Sequence, residues 1–143
     1  MADIFYKDTV TVYNKTDGVD PLMGGSVWYP TVLEHVRLLV TKGANIDKNG
    51  SESADTARLH IQTGVGDLKK PYLEPKEWQA AAEKESSFTL TPDADFLVAG
   101  DTSAEDMTQE DFFGYMVSKY DRCYKVTNVD AYTLIPHLEV GGK

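Results

Sequence analysis

A mainly-β fold of the α+β class is what this chain predicts: a small curved sheet or SH3-like β-barrel carrying two short helices. Three observations carry the expectation. Short apolar stretches such as Asp95-Phe96-Leu97-Val98-Ala99-Gly100-Asp101 and Ile135-Pro136-His137-Leu138-Glu139-Val140 are interrupted by Asp, Gly and Pro, the punctuation of strands and turns. β-Branched residues in two-residue alternation mark 31–40 and 56–61. Near 74–83 and again near 109–119 the pattern changes to helical spacing.

Taken in order, Asp8-Thr9-Val10-Thr11-Val12-Tyr13-Asn14-Lys15 is rich in β-formers and ends at the turn signal Asp17-Gly18, which predicts an early, edge-forming strand. Pro21, Gly24 and Gly25 then predict an irregular loop before Trp28-Tyr29. In 31–40, Val32, Glu34, Val36, Leu38 and Val40 share one two-residue phase, and Pro30 with the β-branched content favours strand over helix. Asn45-Ile46-Asp47-Lys48-Asn49-Gly50 reads as an exposed turn or bulging loop. Ala57, Leu59 and Ile61 are the inward positions of the strand that follows. Pro75 in a first turn, Glu77 at its positive end and Ala80 to Ala82 predict a short helix in which Trp78 packs with Ala81 and Ala82. Thr89-Leu90-Thr91-Pro92 and Asp95-Phe96-Leu97-Val98 are expected short strands, Pro92 limiting the first to an edge or boundary. Thr108 with Asp111 offers a cap for a second helix, whose stripe of Phe113, Met116, Val117 and Tyr120 is expected to pack on the sheet or on a neighbouring subunit. The terminal strands then close a curved sheet or barrel, removing edges that invite uncontrolled pairing.

At 143 residues the chain fits a single domain, 1–143, with loops at about 16–28 and 42–55, and can bury a core without disulfides or a structural metal. Lys and Arg number 14 against 23 Asp and Glu, a formal charge of -9, which repels nucleic-acid phosphates and anionic membranes and favours a protein or cationic partner. No stretch reaches the roughly 18 apolar residues of a membrane helix. Met1-Ala2-Asp3-Ile4-Phe5 has neither a basic leader nor a long apolar core, so a soluble, cytoplasmic protein is expected. Cys123 is the only cysteine; with no partner cysteine and no readable base beside it, a buried or half-buried structural thiol is expected.

No motif nominates a catalytic residue, a cofactor or a metal. His35, His60 and His137 are widely separated and lack zinc spacing. Asp93, Asp95, Asp101, Glu105 and Asp106 lack the calcium-loop pattern and read as solvated loop acids and helix caps. Gly24-Gly25 and Gly64-Val65-Gly66 are turn glycines outside any phosphate-binding context, and Ser51, Ser53, Ser86 and Ser87 sit in polar surroundings suited to turns and caps.

The order of Asp8 to Tyr13, the strand block running from Trp28 to Val40, Phe96-Leu97-Val98-Ala99-Gly100-Asp101 and Tyr124-Lys125-Val126-Thr127-Asn128-Val129 resembles small tailed-phage or prophage neck proteins of the head-completion or head–tail connector type. In that family an early strand leads through a loop to a barrel-like core, an apolar-x-x-Gly-Asp phrase precedes a Tyr-x-Val-x-x-Val strand, and short β segments end the chain. This sequence departs from the pattern by the helical segment at 108–120, which also admits a minor capsid, tail-completion or accessory role. The resemblance implies a virion structural protein joining head and tail by symmetric assembly: a homo-oligomeric ring that engages portal, adaptor or tail proteins, passes close to packaged DNA, touches no membrane, and moves from host cytoplasm into the virion. The 18–28 loop, the 42–54 excursion and the 136–140 segment are the expected interfaces. The competing classes are a non-viral protein-binding adaptor and a small hydrolase, the latter needing His and carboxylate groups converging in a cleft.

Overall fold

The computed structural model describes residues 6–19, 26–41, 44–47, 50–53, 56–64, 68–108 and 111–143, with backbone alone at 17–19, 26, 44–47 and 50–53. Strands β1 (Asp8–Val19), β2 (Ser26–Thr41), β5 (Thr56–Gln62), β6 (Phe96–Ala99), β7 (Cys123–Tyr132) and β8 (His137–Gly142) close a six-stranded antiparallel barrel in the order β1-β2-β5-β8-β7-β6. The seam is the β1–β6 pairing, Val10 opposite Ala99 through Tyr13 opposite Phe96. β1 is therefore paired on both sides, and the edge position expected from its sequence is not what forms. The fold class itself is as expected, a small mainly-β domain with two short helices, α1 (Pro75–Ala80) and α2 (Phe112–Lys119).

Two long strands each serve two neighbours by bending at a bulge. Between Asp8 opposite Val36 and Val10 opposite Leu33, two residues of β1 span three of β2. The extra residue falls at Glu34–His35, and His35 takes a left-handed backbone with φ 58°. Beyond it, β2 leaves β1 and pairs with β5 from Arg37 opposite His60 onward, while Leu38 N donates to Asp8 Oδ2 at 2.9 Å. The single alternating phase expected for 31–40 is accordingly broken: Thr31 and Leu33 point inward before the bulge, and Val36, Leu38 and Val40 after it. β7 does the same at Thr127, passing from β6 to β8. There Gly141 permits the close approach, since a Cβ would run into the Asn128 side chain.

Alternation along the strands separates two apolar clusters. Val10, Val12, Leu33, Leu59, Ile61, Leu97, Tyr124, Val126, Leu138 and Val140 fill the barrel interior, joined by Phe88 and Leu90 from the segment after α1. On the opposite face of β1 and β6, Tyr13, Phe96 and Val98 pack beneath Phe112 and Met116 of α2. Phe96-Leu97-Val98 is a continuous apolar run because both of its faces are covered. Tyr13 stacks on Phe96 at 4.9 Å and meets Phe112 edge-on at 5.1 Å. Burying each such side chain contributes about 1.5–3 kcal/mol.

The connections differ from expectation in places. The excursion at 42–55 contains its own two-stranded sheet, β3 (Ala44–Asp47) with β4 (Gly50–Ser53). β1 and β2 extend into the expected 16–28 loop, to Val19 and from Ser26, and pair there; residues 20–25 lie outside the described residues. The expected strand at 89–92 does not form: Phe88 makes an isolated bridge to Tyr72, and 92–94 is a turn. Pro92 has no amide hydrogen to give, and Asp95 collects the amide of Thr91 with its side chain instead. α1 buries Trp78, whose indole N–H donates to the Lys84 and Ser87 carbonyls at 3.3 and 3.4 Å, while Ala82 lies exposed beyond the helix end. α2 starts at Phe112 with Asp111 as its cap, the carboxylate accepting from Gly114 N at 3.1 Å. Thr108 is engaged with Asp106 instead, and Val117 faces outward.

Candidate functional site on the β7–β8 hairpin

β7 and β8 form a regular hairpin from Val129 opposite Val140 to Tyr132 opposite His137, closed by the turn at 133–136. Pairing on both sides fixes β8, and Thr63 N donates to Pro136 O at 3.1 Å, tying the turn to the end of β5. The tip is nevertheless apolar and open to solvent: Leu134 is 95 % and Ile135 75 % exposed.

Beside the tip, the outward faces of β5 and β8 gather three groups. His60 lies opposite Glu139, and His137 opposite Gln62, so the alternation that sends Leu59, Ile61, Leu138 and Val140 inward turns His60, His137 and Glu139 outward together. His60 Nδ1 is 3.5 Å from Glu139 Oε1, the two imidazoles lie nearly parallel at 6.4 Å, and ligand-capable atoms of all three residues fall within 4.8 Å of one another. His137 Nδ1–H donates to the Ile135 carbonyl at 2.7 Å, and the ring stacks on Tyr132 at 4.6 Å and 7°. Partial burial lowers the His60 pKa, with Arg37, Arg58 and His137 acting in the same direction and Glu139 opposing. Its hydrogen bond to Glu139 raises the Tyr132 phenol. A surface cleft of about 500 Å³ opens alongside, lined by Leu68, Pro71, Tyr72, Tyr132, Pro136 and His137. Burial pushes Tyr72 up to about 12.

The expected sites distribute differently. The 136–140 segment is no polar connection: only Pro136 is in the turn, and Leu138 and Val140 are core. Trp28, at the end of the 18–28 candidate, packs on Phe96 and Phe112 at 5.2 and 5.8 Å and belongs to the cluster under α2. Of the 42–54 excursion the described part is backbone pairing, and its side chains lie outside the described residues. Of the three histidines, His60 and His137 come together because β5 and β8 are neighbours in space, while His35 lies apart from them on the β2 bulge.

The acids divide. Asp101 and Asp106 cap local turns through Ser103 and Thr108, and those hydrogen bonds hold their pKa values low. Glu105 receives hydrogen bonds from Lys119, Tyr115 and Tyr120 and so braces α2. Asp95 is not a solvated loop acid. It is fully buried, accepting from Lys15 N, Thr91 N and the Asn14 amide at 2.8, 2.8 and 2.9 Å. Cys123, at the start of β7, is half-buried as expected, its thiol pushed up to about 12 by desolvation.

Fold and site together define a closed antiparallel β-barrel protein whose outer wall bears an exposed apolar hairpin tip and a histidine–carboxylate cluster. The chain belongs to the family of unknown function DUF6751, whose family model matches residues 5–143. Neither a curated protein nor a solved structure matches it.

Proposed function

We propose that this protein is a virion assembly component of the tailed-phage neck, of the head-completion or head–tail connector type, acting as a homo-oligomeric ring that engages portal, adaptor or tail proteins. The observation that carries the reading is the Leu134–Ile135 tip: aliphatic side chains 95 % and 75 % exposed, held on a hairpin whose β8 strand pairs with β5 as well as with β7. Closure of the barrel limits the strand edge open to unlimited pairing, so association is assigned to turns such as this tip, which suits a ring of fixed size. The charge of -9 fits a protein that lies near packaged DNA without binding it.

The test is co-expression with the neighbouring structural genes of its genome, followed by isolation of the complex. Wild-type protein is expected to co-purify with a portal-like or tail-like protein. The Leu134→Asp, Ile135→Asp double variant is expected to lose that complex while its unfolding free energy stays within about 0.5 kcal/mol of wild type, as for an exposed turn. Retention of the complex by the folded double variant excludes the tip as the contact. A wild-type protein that co-purifies with none of those proteins contradicts the neck assignment and favours the non-viral adaptor.

A further inference from the structure

Several features invite a function. The buried Asp95 is satisfied by three donors from the surrounding strand and turn, and serves the fold. The cleft beside His35, Lys69, Lys70 and Asp101 mixes both signs of charge without converging on one point. The cluster on the outer face of β5 and β8 does converge, and it does so with the side chains that bind transition metals.

We propose that His60, His137 and Glu139 form a binding site for one divalent transition-metal ion of the zinc class. Two imidazoles and a carboxylate are a donor set suited to zinc, and three protein ligands with water in the fourth position is the arrangement of an open zinc site. The strands supply the geometry without a sequence motif: His60 and Glu139 are directly opposed across β5–β8, and His137 lies two residues before Glu139 on the same face. Tetrahedral zinc with bonds near 2.1 Å places its ligand atoms about 3.4 Å apart. The His60–Glu139 separation of 3.5 Å is already at that value, and the full set, within 4.8 Å, contracts by side-chain rotation on a partly exposed face.

His137 is also prepared as a metal-bound histidine is. Its Nδ1–H is donated to the Ile135 carbonyl, which leaves the lone pair on Nε2, and Tyr132 stacks on the ring to fix its plane. The Tyr132 phenol in turn bonds Glu139. Arg37, opposite His60, and Arg58, two residues before it on the same face, oppose a cation there, whereas Asp130, opposite Glu139 on β7, favours one. The site is independent of the assembly reading: either can hold without the other.

Zinc alone, titrated into the full chain against a chromophoric chelator, tests it. One equivalent is expected to bind, with affinity falling at least about tenfold in each of His60→Gln, His137→Gln and Glu139→Gln, and unchanged in His35→Asn. The absence of stoichiometric binding overturns the proposal. Equal affinity in the His60→Gln, His137→Gln double variant does so too, as does loss of binding in His35→Asn. Should a cluster variant fail to fold, histidine carbethoxylation of the wild-type chain, read by mass spectrometry, gives the decision. Protection of His60 and His137 by zinc supports the site, and unchanged labelling overturns it.

Discussion

Asp95 illustrates how a single side chain is set by competing terms. Burial raises its pKa above the ordinary 3.8, and the hydrogen bonds from Lys15, Thr91 and Asn14 pull the other way. With a raised folded value, the folded state holds the proton more tightly than the unfolded chain does. Its contribution to stability is therefore full below about pH 3.8 and is lost as pH rises through the folded pKa. Denaturant unfolding of wild type and Asp95→Asn across the weakly acidic range is expected to show the wild type losing ground to the variant as pH rises; a constant difference contradicts the raised value. Removing the carboxylate altogether, as in Asp95→Ala, leaves the donors facing it unsatisfied at about 1–3 kcal/mol each. Cys123 gives a simpler expectation. A thiol pushed up to about 12 holds little thiolate at neutral pH, so alkylation of the native protein is expected to be much slower than that of the denatured chain. Alternation and position correctly placed Cys123 as half-buried but misplaced Asp95, because in the chain the two sit alike, each next to a turn and a strand. Only the approach of β1 to the 91–95 turn buries one of them.

At the scale of elements, the β2 bulge and α2 carry the separable expectations. His35 has φ 58°, a left-handed conformation that costs L-residues about 1–2 kcal/mol and β-branched ones most, so His35→Val is expected to destabilise by up to about 1 kcal/mol and His35→Gly to be neutral or stabilising in thermal unfolding. Phe112 joins α2 to Tyr13, Trp28 and Phe96, and Phe112→Ala is expected to cost about 3–5 kcal/mol, measured by chemical denaturation. The inward set Ala57, Leu59 and Ile61 was legible because a regular strand keeps its phase. The phase of β2 was not, because a bulge adds one residue without a glycine or proline to announce it. The histidine–carboxylate cluster was half legible. Outward positions of Thr56-Ala57-Arg58-Leu59-His60-Ile61 and His137-Leu138-Glu139-Val140 can be read from alternation, but their adjacency depends on β5 pairing with β8 across an intervening β6 and β7. Sequence separation hides that kind of contact.

Among the described residues, apolar side chains gather inside the barrel and under α2, and Leu134 and Ile135 at the hairpin tip are the most exposed of the large hydrophobic ones. In the proposed assembly the tip is the surface that meets a specific neighbour, and the net charge of -9 disfavours indiscriminate association. In the proposed ring this neighbour is a further copy of the same chain, and native mass of the purified protein over a range of concentrations is the measurement that decides it. A single defined higher-order ring, persisting on dilution and collapsing to monomer in the Leu134→Asp, Ile135→Asp variant, is the predicted result. A wild-type protein that stays monomeric at every concentration, and remains so with its neighbouring gene products present, contradicts it.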